Sequence, residues 1–407
     1  MKVSESPSPG GWINRDGRLM LLEKAVRTLP YGFLGVIYGV YMAQLGLSPF
    51  FIGIVLTLTV FSSAVYTFVI SFLADRIGRR KTLIFFALTD AVAGGLLLTS
   101  TGWWAPALAG VVGNMTVGAG EVGPFLSLEQ AMLPQTSRSD RRTLAFSAYN
   151  LIGYGASSAG ALLAGLPRYI GYPPLFLGYL VSGLLGAFLY FSLSDRVEPD
   201  PSRAARSSVL SSSGRRTVFK LSSLFAVDSF GGGFIGQSIL AYYFYLRFGL
   251  DLATLGIIFF AAQVVTASSF LVSERIARRI GLLRTMVFTH IPSNLLLIAV
   301  ALAPTPLLAV SFLLGRQSLS QMDVPARQSY IMAIVSETDR TAAAGFTNTT
   351  RTIASSVGPA LAGYALANFW IGTPLALAGS LKLAYDFLIY KVFRNVRPPE
   401  ENTSHGR

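Results

Sequence analysis

Long apolar runs separated by short polar segments dominate the chain. A membrane-crossing helix needs ~20 predominantly apolar residues, and twelve runs reach that length. They lie near residues 25–46, 50–74, 82–101, 104–133, 144–167 and 173–194, then near 218–247, 252–273, 284–303, 305–333, 341–368 and 374–393. Between the sixth and seventh runs stands DRVEPDPSRAARSSVLSSSGRRT, residues 195–217. Its Ser, Arg and Pro content predicts a flexible cytoplasmic linker. The pattern therefore predicts an all-α integral membrane protein of two six-helix bundles, over 25–194 and 218–393. Polar terminal segments occupy 1–24 and 394–407. The first 20 residues lack an apolar core and predict no cleavable leader.

Composition narrows the reading. Of 407 residues, 52% are hydrophobic and only 13% charged, about half the share typical of soluble proteins. The formal charge is nevertheless +13, which in a soluble domain would suggest nucleic acid. Its distribution argues otherwise. With the N-terminus in the cytoplasm, 27 of the 33 Lys and Arg fall on cytoplasmic segments. The external loops hold two, Arg168 and Arg247, and Arg316, Arg327, Arg351 and Lys382 lie within spans. The positive-inside rule then predicts a multi-pass cell-membrane protein with both termini cytoplasmic and no nucleic-acid partner. The absence of cysteine excludes disulfides and thiolate chemistry. No phosphate-binding loop, metal-ligand spacing or nucleophile–base pair is found, so neither an enzyme nor a cofactor is expected.

The two halves repeat. Asp75, Arg76, Ile77, Arg79 and Arg80 align with Glu274, Arg275, Ile276, Arg278 and Arg279 at an offset of 199, and Asp140-Arg141 with Asp339-Arg340. Asn150, Ser157, Ser158, Gly160 and Gly165 align with Asn348, Ser355, Ser356, Gly358 and Gly363 at 198. Gly46, Leu47 and Gly53 align with Gly249, Leu250 and Gly256 at 203. Matches in the same order over several spans indicate duplication.

The loop between spans 2 and 3 carries Asp75, Arg76, Gly78, Arg79, Arg80 and Lys81 in D-R-x-G-R-R-K order, with a degenerate copy between spans 8 and 9. In this twelve-span setting the chain resembles the major facilitator superfamily over residues 20–395. The resemblance implies a secondary transporter with its small-molecule site near the midplane between two halves that rock in alternation. It implies a bilayer-embedded carrier, taken as a monomer, with protons as the coupling partner. It also implies a cytoplasmic clamp of Asp75, Arg79 and Glu129, echoed by Glu274, Arg278 and Arg327. Two features depart from the family. Gly113-Asn114 stands where many members carry a span-4 arginine, and Gly160-Ala161 replaces the antiporter Gly-Pro pair that Gly358-Pro359 retains.

Ionisable residues inside spans are costly and mark functional candidates. They are Asp90, Glu121, Glu129, Asp228, His290, Arg316, Asp323, Arg327, Arg351, Lys382 and Asp386, with Arg27 at the inner end of span 1. Arg316, Ser320, Asp323 and Arg327 are spaced to share one helix face. At an offset of 202, Asn114 matches Arg316 and Glu121 matches Asp323. The resemblance puts spans 1, 4, 7 and 10 at the cavity, where Glu121 or Asp323 takes up a proton; static pairing of Asp323 with Arg316 or Arg327 is the alternative. Asp228 and Arg351 are expected to pair, either as a switch or permanently. Gly231, Gly232 and Gly233 favour bending or tight packing of span 7. Lys382 and Asp386 are expected to pair locally, and Asp90 and His290 to be peripheral. Tyr31, Tyr38, Gln237, Gln317 and Gln321 are candidates to line an aromatic, hydrogen-bonding pocket. Trp103 and Trp104 read as interfacial anchors. Proton-coupled export of amphipathic compounds is the first functional reading. Proton-linked uptake of a sugar, organic anion or other nutrient is the second, and a non-transporting receptor or scaffold is the third.

Overall fold

Apolar runs bounded by proline and glycine become helices in the computed structural model, which describes residues 12–100, 102–116, 123–138, 142–198, 212–335 and 340–396. Glu121, Asp140, Arg141 and Asp339 lie outside the described residues, as do the side chains of Asp75, Glu274 and Arg278. Within them the chain forms α1 (Arg15–Gln44), α2 (Pro49–Ile77), α3 (Arg79–Thr99), α4 (Trp104–Val112), α5 (Pro124–Thr136), α6 (Arg142–Leu162), α7 (Pro167–Ile170) and α8 (Pro173–Phe191). The second half forms α9 (Ser212–Gly233), α10 (Gln237–Phe248), α11 (Leu252–Ile280), α12 (Leu282–Leu302), α13 (Pro306–Gln317), α14 (Asp323–Ile334), α15 (Arg340–Asn368) and α16 (Thr373–Phe393).

These elements make the twelve expected crossings, but spans 4, 7 and 10 are each two helices. Span 4 stops at Gly113 and resumes at Gly123-Pro124. Span 7 breaks after Gly231, Gly232 and Gly233. Span 10 passes through a turn at 318–322. Arg316, Ser320, Asp323 and Arg327 therefore do not share a continuous helical face. Six helical stretches are long and apolar enough to cross a membrane by composition alone: 49–70, 79–99, 173–191, 215–248, 252–269 and 282–302. Of the remaining crossings, spans 4 and 10 are interrupted and spans 1, 11 and 12 carry charges described below.

Glycine places the tight turns. Gly78 joins α2 to α3 at φ 107°, and Gly281 joins α11 to α12 at φ 89°, a region that side chains other than glycine's rarely occupy. The pair corrects the repeat register. ARRIG at 277–281 is the structural counterpart of ADRIG at 74–78, one helical turn beyond the Asp75–Glu274 alignment. Arg278, and not Glu274, then stands at the position of Asp75.

The chain divides into two units, residues 1–47, 58–205 and 251–260, and residues 48–57, 206–250 and 261–407. In the first, Met20, Phe86, Phe125, Met132, Tyr149 and Tyr190 form the core. A methyl group on Gly32 would overlap the Ser157 carbonyl, and one on Gly160 the Leu29 carbonyl, so α1 and α6 cross almost backbone to backbone. The first turns of α11 join this unit: Ser158 Oγ donates to the Phe260 carbonyl at 3.1 Å. In the second unit the core is Phe225, Met286, Tyr330, Tyr385, Ile389 and Phe393. Gly233 of α9 and Gly358 of α15 repeat the glycine crossing. The first turns of α2 join this unit, where Thr57 Oγ1 accepts from the Ala360 amide at 2.8 Å. Phe68, Phe85, Phe188, Phe219 and Phe387 face outward, as lipid-facing side chains do.

Candidate functional site

The first unit holds a polar hub on α1. Glu23, Arg27 and Tyr31 recur every four residues and so share one face, and all three are buried. Arg27 Nε donates to Glu23 at 2.9 and 3.2 Å, and Arg27 Nη2 donates to Glu129 of α5 at 2.6 Å. Glu129 also accepts from Tyr149 at 2.6 Å and Tyr190 at 2.9 Å. Lys24 Nζ donates to the Tyr149 hydroxyl at 3.0 Å. The Arg27 guanidinium lies 4.2 Å from the Phe125 ring centroid, a cation–π contact that shields it further.

Glu129 is thus committed to Arg27 and two tyrosines, which corrects the expected clamp with Arg79. The loop between α2 and α3 is held by the linker. Glu198 of the linker accepts the Arg79 and Arg80 backbone amides at 2.6 and 3.0 Å, capping the N-terminus of α3 where free N–H groups attract an anion. Arg80 reaches Asp195 at 3.2 Å and the Phe191 carbonyl at 2.6 Å. Arg76 is exposed in the last turn of α2.

One turn further along α1, Tyr31 donates to Asp90 of α3 at 2.8 Å. Asp90 also accepts from Tyr179 of α8 at 2.9 Å and from the Asn114 backbone amide at 2.8 Å. That amide is freed by the end of α4, and Asn114 Nδ2 donates to Thr89 at 3.3 Å. Asp90 is therefore a buried centre at the break in span 4, contrary to its expected peripheral place. Among the described residues no cation lies within ion-pair distance of it. Tyr38 donates to the Pro106 carbonyl at 2.5 Å. Tyr31 and Tyr38 both serve the interior of the unit, so neither lines an aromatic pocket with a free hydroxyl. The crevice beside this hub is lined by Glu23, Arg27, Asp90, Ser182, Gly183 and Gly186.

The second unit holds a hub around Asp228 of α9. Lys382 of α16 donates to it at 2.6 Å, His290 of α12 lies 3.7 Å away, and Arg327 of α14 lies 3.8 Å away. Arg327 Nη1 donates to Asp323 at 2.7 Å, so the pairing alternative for Asp323 is the arrangement seen. Asp386 sits 2.8 Å from His290 Nδ1 and accepts from Asn294 at 2.9 Å. Two expected pairs are corrected. Lys382 bonds Asp228 of α9, while Asp386, one turn on along the same face of α16, is taken by His290 and Asn294 of α12. Arg351 of α15 donates to Ser229 at 2.9 Å instead of to Asp228. Arg316 donates to Gln317 at 2.6 Å, and Ser320 donates to the same amide oxygen at 3.1 Å. Gln237 accepts from Gln263 at 3.2 Å. Gln321 is partly buried in the turn between α13 and α14.

The glycine crossings relate the two hubs. Gly32 and Gly233 are 201 residues apart, and so are Arg27 and Asp228. A cation ringed by carboxylates in one half thus stands where the other half has a carboxylate ringed by cations.

This helical membrane architecture, with duplicated six-span halves and buried charge in each, is that of a solute carrier. The Major Facilitator Superfamily profile matches residues 25–319, and the chain belongs to that family. Uncharacterized membrane protein YJR124C of Saccharomyces cerevisiae is 27% identical, covering 94% of this chain and 95% of the yeast protein. The nucleoside transporter NupG aligns with a TM-score of 0.69 at 15% identity, over 94% of this chain and 100% of that one. An auto-inhibited POT family peptide transporter aligns with a TM-score of 0.73 at 13% identity, over 94% and 98%. Those structural likenesses establish the fold.

Proposed function

We propose that this protein is a proton-coupled secondary transporter that moves a small polar solute by alternating access, with both termini cytoplasmic. The observation that carries the reading is Asp90. A carboxylate that is 2% exposed and held only by neutral donors can exchange a proton without first breaking an ion pair. Its protonation also bears on the carrier's backbone. The carboxylate accepts three hydrogen bonds here, and the acid adds an O–H that needs an acceptor and weakens the bonds it receives, so a proton loosens the hold of Tyr31, Tyr179 and the Asn114 amide. Since Asn114 stands at the break in span 4, proton uptake and the shape of that span are linked. Glu121, five residues beyond the break's first described stretch, remains a second candidate for the same role.

An aromatic pocket including Tyr31 and Tyr38 is one of the expected grounds for drug export, and the internal hydrogen bonds of the two tyrosines weaken that ground.

The test is infrared difference spectroscopy of the purified protein across a pH titration, beside solute-induced proton flux in proteoliposomes. The carbonyl band of a protonated carboxylic acid is expected to grow as pH falls and to vanish in Asp90→Asn. Proton flux should vanish in the same variant. An unchanged band, or undiminished proton flux, removes Asp90 from the mechanism.

A further inference from the structure

The interior of the second unit is unbalanced in charge. Among its described residues, the buried Arg316, Arg327 and Lys382 and the half-buried Arg351 stand beside three buried carboxylates, Asp228, Asp323 and Asp386. His290 adds a further positive charge whenever it is protonated. The carboxylates are not shared evenly. Lys382 takes Asp228 at 2.6 Å and Arg327 takes Asp323 at 2.7 Å, while Asp386 is held by His290 and Asn294. Arg316 and Arg351 receive neutral oxygens only, from Gln317 and Ser229.

Arg316 is 7% exposed, and its Nε has no hydrogen-bond partner. A guanidinium so buried, without a counter-charge, is expensive by several kcal/mol, and an orphaned N–H adds to that cost. Arg351 is tied to Ser229, the residue next to Asp228, and Asp228 itself is already committed to Lys382. Among the described residues, carboxylates stand at contact distance from two of these four cations and not from the other two.

We infer that Arg316 and Arg351 form an oxyanion site that receives the carboxylate or phosphate group of the transported solute. The chemistry matches, because the planar guanidinium presents forked donors to the paired oxygens of either group. One monoanion would cancel the excess positive charge. Gln317 and Ser229, which now accept from the arginines, and Ser320, which donates to Gln317, remain at hand to bond the rest of the solute. The identity of the solute class rests on the carrier reading above, whereas anion binding itself can be measured without transport.

Thermal melting of the purified full-length protein in detergent tests the site. Phosphate, succinate and benzoate are compared with chloride at equal ionic strength, with mannitol and tetraphenylphosphonium as neutral and cationic probes. In chloride, Arg316→Gln and Arg351→Gln are expected to melt at or above the wild-type midpoint, because each removes an uncompensated charge. Arg327→Gln, which strands Asp323, is expected to melt lower. At least one oxyanion should raise the wild-type midpoint by several degrees through preferential binding to the folded state, and neither Arg316→Gln nor Arg351→Gln should respond. An oxyanion response retained in both variants overturns the site, as does stabilisation by mannitol or tetraphenylphosphonium alone. Absence of any oxyanion response, with both variants melting below wild type, overturns it equally. If phosphatidylglycerol micelles stabilise the protein while the soluble oxyanions do not, the arginines hold a lipid headgroup and the solute assignment fails. Oxyanion binding that persists without any proton flux leaves the site standing and defeats the proton-coupled reading instead.

Discussion

Replacing Lys382 with methionine isolates Asp228 inside the second unit while keeping most of the lysine's apolar stem. The two charges lie 2.6 Å apart, where their gross attraction at an effective dielectric constant of ~20 is ~6 kcal/mol. Much of that offsets the cost of taking both groups out of water, so the loss is set by what remains around the carboxylate. Arg327 stays at 3.8 Å, yet its shorter bond, 2.7 Å, goes to Asp323. His290, at 3.7 Å, neutralises only when protonated. Lys382→Met therefore leaves a buried, under-compensated charge, a change that typically costs ~3–5 kcal/mol. Asp228→Asn strands the ammonium and costs a similar amount. The double variant removes both charges and should recover most of the loss, because an ion pair exchanged for neutral groups is often near neutral. At ~2–4 °C per kcal/mol for a unit of this size, each single variant should melt roughly 6–20 °C below wild type, and the double variant only a few degrees below. Fluorescence-monitored melting in one detergent reads all four proteins. If the two single losses simply add in the double variant, the residues are not coupled and the hub is wrongly drawn.

Glu198→Ala removes the acceptor shared by the Arg79 and Arg80 amides, a capping loss of ~0.5–2 kcal/mol; hydrogen exchange should rise in the first turn of α3 and stay unchanged in the first turn of α12, and equal protection in both proteins would dismiss the cap. Gly160→Val pushes a side chain into the Leu29 carbonyl and should cost ~1–3 kcal/mol, whereas Gly178→Ala, whose added methyl meets open space, should melt as wild type does; equal midpoints for the two variants would contradict the close α1–α6 crossing.

The crossings and the duplication could be read from the sequence because both are local or periodic signals. Apolar runs mark spans wherever lipid or a tight bundle surrounds them, and glycines mark the crossings of α1 with α6 and of α9 with α15. The breaks carried a weaker signal. Gly113, Gly123 and Pro124 announce the interruption of span 4, but the turn at 318–322 contains neither glycine nor proline and is concealed within an apolar run. The hubs were the least legible part. Arg27 and Glu129 are 102 residues apart, and Asp228 and Lys382 are 154 apart, so only packing selects these partners over nearer ones. Helical spacing suggested Lys382–Asp386 instead, and that proximity lost to better partners on α9 and α12. Glu23 and Lys24 were assigned to a polar terminal segment because α1 begins ten residues before the apolar run does. The four-residue spacing of Glu23, Arg27 and Tyr31 is the signal that places Glu23 inside.

The opposed charges of the two hubs bear on the direction of coupling. In the first unit the hub groups Glu23, Lys24, Arg27, Asp90 and Glu129 carry one more negative charge than positive when all are ionised, and the hub carboxylate without a cation is Asp90, while Asp16, buried at the start of α1 outside the hub, is held by the Ser194 amide and hydroxyl. In the second unit the excess is positive, and Arg316 and Arg351 are the cations without a carboxylate. A proton on Asp90 cancels the first imbalance, and an oxyanion at the two arginines cancels the second. On the two proposals made above, the carrier with both sites filled has the lowest cost of buried charge, and with either site filled alone it keeps one uncompensated charge. A carrier that changes conformation most readily when both sites are filled moves proton and anion together, which is symport. Filling the sites alternately, as exchange requires, would leave an unpaired buried charge on each leg of the cycle. Oxyanion-induced proton entry into proteoliposomes, in the same direction as the anion, is the expected sign. Proton movement opposite to the anion would show that the charge balance does not govern the cycle.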